Sequence, residues 1–167
     1  MLVPVEVRPS KIFGRGLFAL YPIRRGTFLC SFSMDAKLIT EAEFLQAVAE
    51  DRQPIVRTGT RYIGKYFTYT ETPDAQLNFF NHASEPNCLV CCGVVISLRD
   101  IDVDVELTID YRTLIDDTDL GVYNDASTGT TIKGFNAKQT LLRTAKQLVE
   151  LAESLDETWD AVSKLTG

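Results

Sequence analysis

Hydrophobic positions come in short bursts through the first hundred residues and then lengthen into a helical period. Leu2, Val3, Val5 and Val7 outline a leading strand, and "GRGLFAL" (14–20) and "FLCSFS" (28–33) read as two more, parted by the turn around "IRRG". Thr40 stands three residues before Glu43, the spacing of a capping box, which predicts a helix over 41–50 presenting Phe44, Leu45, Ala47 and Val48. "RYIGKYFTY" (61–69) and "CLVCCGVVISL" (88–98) look like further strands. "VDVELTIDY" (103–111) alternates, with Val103, Val105, Leu107 and Ile109 on one face and Asp104, Glu106, Thr108 and Asp110 on the other.

The pattern changes after residue 115. Residues 116–134 are polar, contain glycine and lack periodicity, which reads as a loop. Beyond Phe135, Leu141, Ala145, Leu148, Ala152, Leu155, Trp159 and Val162 recur at alternating steps of four and three, the stripe of an amphipathic helix. Such a stripe either packs on its own domain or joins two copies, since three heptads approach the minimum for a coiled coil. The expected organisation is a mainly β core over 1–115 with a few helices, followed by a loop and helix over 116–167.

Composition narrows the class. With 45% hydrophobic and 24% charged residues the chain is an ordinary globular domain, long enough to build its own core. No stretch approaches the roughly 20 apolar residues of a membrane span, and "MLVPVEVRPSK" lacks a signal-peptide pattern, so an intracellular protein is expected. The net charge of −6 argues against direct contact with nucleic acid and suits a basic partner. Four cysteines (30, 88, 91 and 92) and His82 raise the question of a metal. On one straight strand Cys88 and Cys92 would lie roughly 13 Å apart, too far for one zinc ion, so no metal is expected.

"NFFNHASEPNC" (78–88) asks for a different explanation. It puts Asn81, the only histidine, Pro86 and Asn87 beside apolar residues, although neither asparagine nor histidine fills a core well. Together with "GRGLFA" (14–19) upstream and "ELTIDY" (106–111) about twenty residues downstream, it resembles the SET-domain family of protein-lysine methyltransferases over roughly residues 8–112. That resemblance implies small, mostly antiparallel sheets with a C-terminal pseudoknot, and transfer of a methyl group from S-adenosylmethionine to a lysine amine of a basic or lysine-rich protein, a histone-like tail included. It implies that Gly14, Arg15, Gly16 and Leu17 meet the methionine part of the cofactor, and that Asn81 and His82 hold its amino group and adenine. Tyr111 becomes the catalytic residue. A second channel tyrosine is sought among Tyr62, Tyr66 and Tyr69, with Tyr69 put forward, and Phe135 is a candidate channel wall.

Three positions depart from the family pattern: Asp104-Val105 where Gly-Glu is usual, Ala83 where serine is usual, and Asn78 where a basic residue is common. No cysteine follows Cys92 in the sequence, so the zinc-binding tail of many histone-directed members is not expected. These departures leave open a second reading, a SET module that binds a partner without catalysis.

Overall fold

The structure is a computed structural model and describes residues 1–31, 37–53, 55–58, 60–61, 66–69, 71, 76–91, 93–114, 124–126 and 128–155. Among the described residues ten short strands form three small sheets. In the first, β1 (Val5–Pro9), β2 (Arg15–Ala19), β10 (Glu106–Ile109) and β7 (Asn81–His82) lie side by side in that order. β2 runs antiparallel to both β1 and β10, with Leu17 opposite Val7 and Leu107, whereas β7 runs parallel to β10. The second sheet orders β3 (Phe28–Ser31), β9 (Val94–Ser97) and β8 (Cys88–Cys91); the third orders β4 (Lys37–Thr40), β6 (Tyr66–Tyr69) and β5 (Thr60–Arg61). The mainly β class with small antiparallel sheets and a C-terminal helix is the one expected.

The core sits where the first two sheets meet. Leu17, Ala19, Leu29, Val95 and Leu107 are wholly buried, joined by Ile23, Cys30, Phe80, Cys88, Ile101 and Ile109. The predicted capping box is present. Thr40 N donates to Glu43 Oε2 (2.7 Å) and Glu43 N to Thr40 Oγ1 (3.3 Å), starting α1 (Glu41–Ala49). A short helix α2 (Ile55–Thr58), which the hydrophobic pattern does not signal, follows.

Three expectations are corrected. "CLVCCGVVISL" is a hairpin, not one strand: Cys91 pairs with Val94, and Gly93 has φ +80°, a backbone state that glycine enters without penalty. The strand-length reason for excluding a metal therefore falls. Even so, no group of three metal-ligating side chains forms among the described residues. "RYIGKYFTY" contributes two strands, β5 and β6. The alternation of 103–111 does not carry over into burial. Val103 and Val105 are exposed, because Asp104 turns the chain with φ +67°, and Thr108 and Asp110 are as buried as Leu107 and Ile109. β10 is paired along both edges, by β2 and β7, and is also contacted by β8 of the second sheet, while Asn87 bonds Thr108 and Arg112 bonds Asp110.

The C-terminal helix α3 (Ala137–Ser154) begins at Asn136, whose side chain accepts from Gln139 N while Gln139 Oε1 accepts from Asn136 N. It packs against the turn after β10 and against β8. Its buried residues are Gln147 and Leu151, whereas Leu141, Ala145 and Ala152 of the anticipated stripe are exposed. The helix is rotated so that the stripe lies along the edge of its contact. Trp159 and Val162 fall outside the described residues, as does Tyr62. No helix of the described residues is long and apolar enough to cross a membrane.

Candidate functional site

Three sequence motifs meet on the first sheet. The loop between β1 and β2 folds on itself, with Ser10 N donating to Gly14 O (3.0 Å) and Ser10 Oγ accepting from Ile12 N (2.8 Å). Gly14 has φ +48°, and a Cβ there would meet no atom within 4 Å, so the loop is open on that side. Asn81, buried on β7, reaches across to this loop. Its Nδ2 donates toward Phe13 O (3.1 Å), Arg15 O (3.1 Å) and Glu106 Oε1 (2.6 Å). The Glu106 carboxylate also accepts from Ser10 Oγ (2.8 Å to each oxygen). Glu106 and Asn81 thus clamp the glycine loop from below.

The clamp changes what the second glycine is for. A Cβ at Gly16 would overlap the Glu106 carboxylate and approach Asn81 Nδ2 to 3.1 Å. Gly16 makes room for the chain's own carboxylate. The Leu17 side chain is wholly buried in the core, so only its main chain could meet a ligand. The Arg15 guanidinium stacks 4.9 Å from the centre of the Phe79 ring. The Phe13 and Arg15 carbonyls and the Glu106 carboxylate gather acceptors here, each already engaged by Asn81 or Ser10.

His82 follows Asn81 and faces the other motif. Its Nδ1 accepts from Tyr111 N (3.1 Å), and its ring lies tilted at 5.4 Å from that of Tyr111. Accepting an N–H requires an unprotonated Nδ1, so the neutral ring carries its proton on Nε2. Burial holds the His82 pKa below its usual value, against the opposing pull of Asp110. Asp125 Oδ2 lies 4.0 Å from Nε2.

Tyr111 opens a short 3-10 turn after β10, and its hydroxyl donates to Phe80 O (2.7 Å). Asp110 caps that turn, accepting from Arg112 N (3.0 Å) and holding the Arg112 guanidinium through two bonds of 2.7–2.8 Å. Arg112 in turn donates to Ser84 O (3.0 Å), tying the turn to the Asn-His segment. Asn87 completes the stitching: Nδ2 donates to Glu106 O and Oδ1 accepts from Thr108 N, both at 2.8 Å.

The structure brings Gly14, Gly16 and Asn81 together, and His82 with Tyr111; the two groups are joined through adjacent residues of β7. Phe135 also arrives, its N–H bonded to Arg112 O (2.8 Å) and its ring 5.0 Å from the Arg112 guanidinium. Tyr69 belongs to the third sheet, where its hydroxyl lies 3.4 Å from Glu71 and Lys37 approaches its ring; these partners are not those of Tyr111. Sequence reasoning missed Ser10 and Glu106, which need the β2–β10 register to be recognised, and Asp125, which lies in the segment read as a loop. A cavity of about 240 Å³ lined by Val3, Pro4, Tyr21, Pro22 and Ile23 lies elsewhere and contains none of these groups.

Small antiparallel sheets that bring a glycine loop, an Asn-His turn and a strand-terminal tyrosine together define a SET domain. The SET-domain family model matches residues 14–112, more than half of the chain, and the chain belongs to that family. SET domains are typically methyltransferases. No curated protein matches the chain.

Proposed function

We propose that the protein is an S-adenosylmethionine-dependent lysine N-methyltransferase acting on a basic or lysine-rich protein, with histone-like tails among the substrates that fit. The observation that carries this reading is the attachment of Tyr111 to the Phe80–His82 segment, through its hydroxyl to Phe80 O and through its backbone N–H and ring to His82. The residues present suit such a cofactor. Phe13 O, Arg15 O and the Glu106 carboxylate offer acceptors to a ligand bearing an ammonium and a sulfonium, and the space beside Gly14 is open.

When bound, the cofactor supplies an electrophilic methyl group on a positively charged sulfur. The task left to the chain is to present a neutral amine in line with it. Lysine ordinarily titrates near 10.4, and bringing it to about 7.4 costs about 4 kcal/mol. Apolar surroundings and a neighbouring positive charge disfavour the ammonium form by that order, so no dedicated base is needed. His82 fits this scheme as a positioning residue, because its Nδ1 is engaged by Tyr111 N. The Tyr111 hydroxyl, fixed by its donation to Phe80 O, would orient the amine and, through weak C–H···O contacts, the methyl group. Phe135 and Arg112 are candidates for the wall of the lysine channel beside it. The net charge of −6 favours a basic segment as substrate.

A second reading, a SET module that binds a partner without catalysis, draws on one observation: the Asn81 amide hydrogens and the space at Gly16 are occupied by the chain's own groups. Calorimetry with S-adenosylmethionine separates the two. The enzyme binds it, and Tyr111→Phe retains binding while losing transfer of labelled methyl groups to lysate proteins. A wild-type protein with no affinity for the cofactor is the non-catalytic module.

A further inference from the structure

We propose that α3 pairs antiparallel with α3 of a second copy, through the face turned away from its own domain. Leu141, Leu142 and Val149 are 68%, 60% and 55% exposed, and Ala145 and Ala152 are exposed beside them, while Gln147 and Leu151 face inward. Lys138, Leu142, Ala145, Val149 and Ala152 recur at steps of four, three, four and three, the spacing of a coiled-coil seam. Alanine at alternate layers lets two axes approach toward the close end of the roughly 8–10 Å range.

Charge selects the orientation. Residues 126–149 contain four basic side chains (Lys133, Lys138, Arg143 and Lys146) and no acidic one. The acidic side chains of α3, Glu150 and Glu153, both lie near its C-terminal end. This order opposes the helix dipole, which favours acids at the N-terminus and bases at the C-terminus; α3 has no acid in its first turn and no base in its last. A parallel mate would set like charges side by side. An antiparallel mate sets the Lys138 end of one helix along the Glu150–Glu153 end of the other and opposes the two dipoles. A two-fold axis between positions 145 and 146 brings Leu142 onto Val149 of the partner subunit and, at the same time, Lys138 onto Glu153 of the partner subunit. One axis satisfies both the apolar and the charged pairs.

The contact is small, an 18-residue helix about 27 Å long, so the dimer forms and dissociates with concentration. Sedimentation equilibrium of the full chain over a wide concentration range tests it. The expected result is a monomer–dimer equilibrium that Leu142→Glu abolishes, at an exposed position where folding is unaffected. Lys138→Glu and Glu153→Lys should each weaken the dimer several-fold, and the double charge swap should restore it. A monomer at every concentration would overturn the proposal and leave the face to residues 156–167 or to solvent. So would a dimer indifferent to Leu142→Glu, or a charge swap that fails to restore pairing.

Discussion

Asn87→Ala removes the side chain that stitches the 81–88 segment to β10. Asn87 is 6% exposed, and its amide satisfies two main-chain groups, the Glu106 carbonyl and the Thr108 N–H, each at 2.8 Å. Alanine offers neither a donor nor an acceptor, and Thr108 is itself 7% exposed, so water reaches these groups poorly. Leaving a buried backbone group without its partner costs about 1–3 kcal/mol, and two such groups give about 2–6 kcal/mol. For a domain of this size that lowers Tm by roughly 5–20 °C. Urea unfolding of the wild type and Asn87→Ala, followed by circular dichroism, measures the difference, with an unchanged denaturant slope confirming that only stability has moved. A loss below about 1 kcal/mol would refute the assignment of Asn87 as the stitch.

The single histidine makes a clean pH probe: because burial lowers the folded pKa of His82, its NMR titration midpoint should fall below about 6.5. The unfolded chain then takes up a proton that the folded one resists, so stability falls as pH drops from about 6.5 through the folded value; a midpoint at or above 6.5 contradicts the buried, Nδ1-accepting ring. Gly14→Ala meets no neighbour and should cost only the left-handed backbone penalty, about 1–2 kcal/mol in chemical denaturation. Gly16→Ala, which meets Glu106, should cost more; the reverse order would refute the clamp. Burial pushes the Cys30 thiol up to about 11 and raises that of Cys88 as well, so both should resist alkylation at pH 8 in the folded protein and react once it is unfolded. Rapid labelling of either in the native state would contradict the core described here.

Much of the fold is legible in local signals. The Thr40–Glu43 box fixes the start of α1 because both its bonds are made within four residues. The strand content follows from apolar bursts. What escapes is what depends on distant partners. A single glycine decides whether 88–98 is one strand or a hairpin, and an unbroken run of Val, Ile and Cys masks that decision. The burial of Thr108 and Asp110 depends on β8, Asn87 and Arg112, none of which is visible in the alternation of 103–111. Asp104 occupies a left-handed position at which the family's usual glycine would be unstrained, and Arg8 bonds its carboxylate at 2.7 Å. Asp104 thus departs from the family pattern and still makes the turn.

The candidate site was half legible. Gly14, Gly16, Asn81, His82 and Tyr111 announce themselves as motif residues, but motif spacing gives no directions for side chains. Asn81 points its amide hydrogens at the glycine loop, and Glu106, read as one polar position of an alternating strand, proves to be the residue that Gly16 accommodates. The apolar stripe of the last helix has the right period, but period alone does not say which side the domain covers.

The central claim is that Tyr111, held to the Asn-His turn, aligns an amine for methyl transfer. Its most direct test incubates the wild type and Tyr111→Phe with isotope-labelled S-adenosylmethionine and a lysine-rich protein mixture, and maps labelled residues by mass spectrometry. Labelled lysines made by the wild type, and lost in a Tyr111→Phe variant that still binds the cofactor, are the predicted result. Cofactor bound by the wild type with no lysine labelled, or equal labelling by the variant, would contradict it.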